Sequence, residues 1–114
     1  MKIGKIAEIL GGEVLCCREN LDREVVSACA SDMMSDVLAF VKDQAVLVTG
    51  LCNPQVIRTA EMMDMVCVVF VRGKQPDEMM KKLAEERGIV LICAPQRMFG
   101  ACGMLYAAGL KPEK

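Results

Sequence analysis

The chain has 114 residues, with 14 Lys plus Arg against 15 Asp plus Glu, no histidine, and a formal net charge of −1. That balance leaves no electrostatic footprint for nucleic acid, and no run of 18 apolar residues marks a membrane span. An apolar fraction of 54% and seven cysteines, an odd number with no CxxC spacing, point to an aliphatic core with free thiols in a reducing, cytoplasmic interior, not to a disulfide framework.

The spacing of Ile3, Ile6, Ala7 and Leu10 predicts a helix over 3–10, stopped by Gly11-Gly12. Those glycines and Glu8 break the apolar pattern that a signal peptide would need. Residues 13–17 read as a short strand, 18–23 as a polar turn, and 24–29 as a second strand. Ser31 or Asp32 is placed to cap a helix carrying Met34, Val37, Leu38 and Val41 on one face. Residues 45–49 form a buried-type strand, Gly50 turns the chain, and Asn53 caps a helix that has Pro54 at its first position. Val56, Ile57, Ala60 and Met63 make that helix's apolar stripe.

Residues 66–71 are apolar without a break, as expected for a strand covered on both faces. A loop at 72–75 follows. Pro76 then opens a helix with Met79, Met80, Leu83 and Ala84 facing inward and spacing-four charge pairs such as Asp77/Lys81 outside. Gly88 ends it, 89–93 is the last strand, 96–108 the last helix, and Gly109 starts a short tail. Strands alternating with helices imply one α/β domain spanning 1–114. Its layers are α/β/α around a mostly parallel sheet of about four to five strands.

Such a sheet binds ligands at the loops beyond its strand C-termini. Ser31, Asp32, Thr49, Gly50, Asn53, Arg72, Gly73, Lys74 and Arg97 fall there. Helix N-termini beside Arg72, Lys74 and Arg97 suit a small anionic metabolite or a nucleotide phosphate. Capping alone accounts for Ser31 and Asn53. The string Thr49-Gly50-Leu51-Cys52-Asn53-Pro54 lacks the spacing and lysine of a P-loop. Without histidine there is no common general base and no Ser-His or Cys-His pair. Cys29, Cys52 and Cys93 lie near strand ends but match no metal pattern. The expectation is therefore no metal, no cofactor and no catalysis. Ten Met and a mean hydropathy of +0.33 favour either a Met-lined core or a self-association face, and a homodimer is expected. Abundant Met and Cys, both easily oxidised, suit an anaerobic source.

Two stretches carry a family resemblance. Val69-Phe70-Val71-Arg72-Gly73-Lys74-Gln75-Pro76-Asp77, with the helix and strand after it and Ala94-Pro95-Gln96-Arg97-Met98-Phe99, resembles the DRTGG domain. Ile6-Ala7-Glu8-Ile9-Leu10-Gly11-Gly12-Glu13-Val14 and residues 30–38 look like its stand-alone form. A more distant similarity is to the N-terminal domains of HPr kinase and Mur ligases. Where the family has its TGG-like turn, this chain has Val71-Arg72-Gly73. Where the family has an Asp-Arg, it has Cys52-Asn53. The resemblance implies a regulatory or ligand-sensing α/β module without catalysis of its own. It would be linked to hydrogenase or phosphotransfer systems and would act on a ligand or on an unknown protein partner.

Overall fold

The computed structural model describes residues 1–40 and 44–112. Val41, expected on the face of the second helix, lies outside them. The chain runs α1 (Ile3–Leu10), β1 (Glu13–Val14), a 3-10 turn (Arg18–Asn20), β2 (Ser27–Ala30), α2 (Met34–Phe40), β3 (Ala45–Thr49) and α3 (Pro54–Met62). It continues through β4 (Cys67–Phe70), α4 (Glu78–Arg87), β5 (Val90–Cys93), α5 (Met98–Ala107) and β6 (Lys111–Pro112). One six-stranded sheet has the order β1-β5-β4-β3-β2-β6. All neighbours are parallel except β1 on β5.

The four central strands stand where the sequence predicts them, and the strand expected over 13–17 forms the edge β1. The strand count rises to six because the tail adds β6. The expected strand over 13–17 is cut short at Val14, since Cys17 takes a left-handed conformation (φ 58°) and starts the 3-10 turn. The tail after Gly109 bends back, buries Leu110 and pairs beside β2. The strand expected from residue 24 begins at Ser27, because Glu24 instead bridges to Lys2.

Side chains of the central strands alternate between two cores. Val46, Val48, Cys67, Val69, Val90 and Ile92 meet Ile3, Ile6, Leu10, Ala101 and Leu105 of α1 and α5 on one face. Leu47, Val68, Phe70 and Leu91 meet Val37, Val56, Ile57, Ala60, Met80 and Ala84 of α2, α3 and α4 on the other. Burial on both faces explains why β4 and β5 are apolar at every position.

Helix ends follow local chemistry. Asn53 Oδ1 accepts the Gln55 and Val56 amides at 3.0 and 3.4 Å, with Pro54 following as expected. Pro76 does not open α4. Asp77 does, accepting the Met80 amide at 2.9 Å, because a carboxylate satisfies an orphan N–H and a proline cannot. Met79 does not face inward but is 73% exposed, while Met80 is buried. On this outer face Lys81 pairs with Glu78, three residues away, at 3.4 Å. No helix among the described residues is long and apolar enough to cross a membrane.

Candidate functional site

The C-terminal ends of β2, β3, β4 and β5 share one edge of the sheet, so the loops after them are neighbours. At its centre Asp32 is not the helix cap that its position suggests. Its Oδ1 accepts the Thr49 hydroxyl at 3.1 Å and the Gly50 amide at 2.7 Å, tying the loop after β2 to the end of β3. Thr49, fully buried, in turn accepts the Leu51 amide at 3.1 Å. Ser31 takes the local role instead, its hydroxyl accepting the Met33 amide at 2.9 Å.

Arg72 reaches the same point from β4. Its guanidinium lies directly over Gly50, where a Cβ would collide with it. The Arg72 backbone is left-handed (φ 60°), unusual for a residue other than glycine, and Gly73 is left-handed too (φ 66°). This double turn is held by the Arg72 amide on the Gln96 carbonyl at 2.7 Å and the Gly73 amide on the Ala94 carbonyl at 2.9 Å. Gln96 also donates from Nε2 to the Leu10 carbonyl at 2.8 Å, anchoring the loop before α5 to the end of α1. Sequence reading placed Gln96 at the start of the last helix, which begins at Met98, and gave it no role, because its partners are 24 and 86 residues distant.

Lys74 lies beyond this turn, close to Cys52. Burial pushes the Cys52 thiol up and Lys74 partly offsets that; Asp77 and Cys93 push it further up. Burial, then Glu13, also raises Cys93, whose sulfur accepts Gln75 Nε2 at 3.2 Å. Cys52 and Cys93 thus share this edge as protonated thiols, which are poor nucleophiles. Arg97 stands at the start of α5, exposed, with its side chain making no capping bond. Asn53 is committed to capping α3. The structure therefore brings Asp32, Thr49, Gly50 and Arg72 into one constellation. Gly73 belongs to its supporting turn, Lys74 follows that turn and Arg97 follows Gln96, while Ser31 and Asn53 shape the adjoining turns.

The family model of the DRTGG domain matches residues 5–108. The chain belongs to the DRTGG domain family. Among solved structures, this DRTGG domain is similar to the CBS and DRTGG domains of the regulatory region of Clostridium perfringens pyrophosphatase, complexed with its activator diadenosine tetraphosphate. The TM-score is 0.75 at 17% identity, over 91% of this chain and 45% of that one. This chain thus spans a little under half the length of that regulatory region. Among curated proteins no sequence matches. In this DRTGG domain the Val71-Arg72-Gly73 turn is the one that carries the arginine over Gly50, so the segment where the sequence departs from the family name is also the centre of the constellation.

Proposed function

We propose that this DRTGG domain, folded as a single unit over 1–114, is a non-catalytic regulatory module. It binds a small anionic ligand, a nucleotide or phosphorylated metabolite, at the loops beyond β2, β3, β4 and β5. The observation that carries this reading is the Arg72 guanidinium laid over Gly50 beside the Asp32–Thr49 clamp, with Lys74 following the Arg72 turn and Arg97 following Gln96. Among the described residues none of these three basic side chains forms an ion pair. Arg72 and Lys74 rise from the double turn and Arg97 from the start of α5, and cations without ion-pair partners recognise phosphate oxygens. The similar structure is a regulatory region complexed with a polyphosphate nucleotide, which supports both the regulatory role and the ligand class. The raised edge thiols and the absence of histidine support a role without catalysis. Seven free cysteines support a reducing cytoplasmic setting.

Calorimetric titration of the reduced chain with ATP, diadenosine tetraphosphate and inorganic tripolyphosphate tests this. A ligand present at 100 times its Kd stabilises the fold by about 2.7 kcal/mol, and replacing Arg72, Lys74 and Arg97 together by Ala should abolish that gain. No heat and no stabilisation at millimolar concentrations of all three would sink the reading.

A second reading, a homodimeric interaction subunit, rests on α5. Only Ala101 and Leu105 of that helix are buried, while Phe99 is 91% and Tyr106 68% exposed. A helix apolar on all sides is normally covered on all sides. Sedimentation equilibrium showing a monomer at high concentration would remove this reading.

A further inference from the structure

Away from the candidate site, the loop before the 3-10 turn packs against the end of α4. Cys16, Cys17 and Glu85 meet there, with their two sulfurs and a carboxylate oxygen all within 4.8 Å of one another. We infer that these three side chains form a binding site for a thiophilic divalent cation of the Zn2+ class.

The backbone builds this cluster. In an extended strand, consecutive side chains point to opposite faces. Cys17 is left-handed (φ 58°, ψ 43°), and that departure brings two adjacent sulfurs toward one carboxylate. Glu85 is oriented from the same loop: its Oε2 accepts the Cys17 amide at 3.0 Å and the Cys17 thiol at 2.9 Å. The loop itself is fixed to the chain beyond α4. Cys16 Sγ donates to the Ile89 carbonyl at 3.3 Å, and Asn20 Nδ2 to the Gly88 carbonyl at 2.9 Å.

The charge balance favours a cation. Among the described residues no Lys or Arg side chain lies within ion-pair distance of Glu85. A divalent ion at this point would be held by the two sulfurs as thiolates and by the carboxylate. Two sulfurs and one carboxylate suit a borderline-soft metal and not Mg2+ or Ca2+. Tetrahedral zinc, with bonds of ~2.3 Å to sulfur and ~2.0–2.2 Å to oxygen, holds its ligand atoms roughly 3.5 Å apart. The three ligand atoms already lie within 4.8 Å of one another, and Cys16, half-buried, and Glu85, exposed, leave the cluster open to an ion. On binding, two S–H bonds are replaced by two sulfur–metal bonds and two protons are released. The carboxylate supplies the third donor and water the fourth.

The experiment titrates the reduced, chelator-stripped full chain with Co2+. The expected result is a thiolate-to-cobalt charge-transfer band that saturates at one equivalent and is erased by equimolar Zn2+. The Cys16→Ser/Cys17→Ser double variant should lose it, Glu85→Gln should weaken binding at least ~10-fold, and Cys102→Ser should leave it intact. Because Cys17 is buried and its variant is at risk of misfolding, the unmodified chain is also alkylated with and without Zn2+ and mapped by mass spectrometry. Protection should fall on Cys16, the more accessible of the two thiols. No band at stoichiometric Co2+, a band surviving the double variant, unchanged affinity in Glu85→Gln, or protection confined to other cysteines would each overturn the assignment.

Discussion

Gly12 and Gly50 both sit where a Cβ has no room, yet a methyl group would act differently at each. At Gly12 it would lie 2.7 Å from Ile92 Cγ2 and 3.1 Å from the Cys93 carbonyl. Both belong to β5 and cannot move apart, so Gly12→Ala should cost about 1–3 kcal/mol in urea unfolding. At Gly50 the obstacle is the end of an exposed, flexible arginine. Gly50→Ala should change stability by under ~1 kcal/mol while displacing the guanidinium and weakening anion binding. Arg72→Gly separates the two roles further. It relieves a left-handed backbone that costs an ordinary residue about 1–2 kcal/mol, so stability should hold or rise while anion binding falls. The thiols set an alkaline limit. Burial raises Cys67, which is wholly enclosed, and raises Cys16, Cys17, Cys93 and Cys102. An acid whose folded pKa is raised keeps a proton that the unfolded chain releases. Its stabilisation is complete below the unfolded value of ~8.5 and is lost as pH climbs above it. Urea midpoints should therefore fall between about pH 8 and 10, and Cys67→Ala should flatten that fall.

At the scale of elements, three pairs of adjacent methionines, 33–34, 62–63 and 79–80, each divide between inside and outside. Met34 and Met80 are buried and Met63 half-buried, whereas Met33, Met62 and Met79 stand exposed. Met79 and Met80 both lie within α4, where neighbours point about 100° apart, so its apolar arc takes Met80 and leaves Met79 outside. Met80→Ala should cost about 2–5 kcal/mol and Met79→Ala under ~0.5 kcal/mol, measured by the same unfolding experiment. Which Met turns inward was not legible from composition, because it depends on where the cap falls. Asp77, not Pro76, sets the phase of α4. Replacing Asp77 by Ala should cost about 1 kcal/mol. The strand–helix order was legible throughout, since unbroken apolar runs and Gly or Asn punctuation are local signals. The edge β6 was not, and β1 was legible only as a longer strand over 13–17, since two-residue strands are made by their neighbours.

At the scale of the molecule, the sheet is sealed by α1 and α5 on one face and by α2, α3 and α4 on the other, yet the outer side of α5 remains apolar. If a second copy covers Phe99 and Tyr106, thermal stability becomes concentration-dependent by mass action. Calorimetry across a wide concentration range should show the melting temperature rising with protein concentration. The Phe99→Glu/Tyr106→Glu double variant should abolish that dependence without unfolding the chain, because neither side chain contributes to the core.

The sequence by itself determined the α/β class, the four parallel strands, the caps at Asn53, Gly11 and Gly88, and the sheet edge where the polar residues gather. These follow from periodicity and turn chemistry, which act over a few residues. Tertiary structure alone decided that Asp32 clamps Thr49 and Gly50, that Arg72 lies over Gly50 on a turn held by Gln96, and that Cys16 and Cys17 converge on Glu85. Each of these joins segments 17 to 69 residues apart, and each depends on a backbone conformation or strand order that no local pattern encodes.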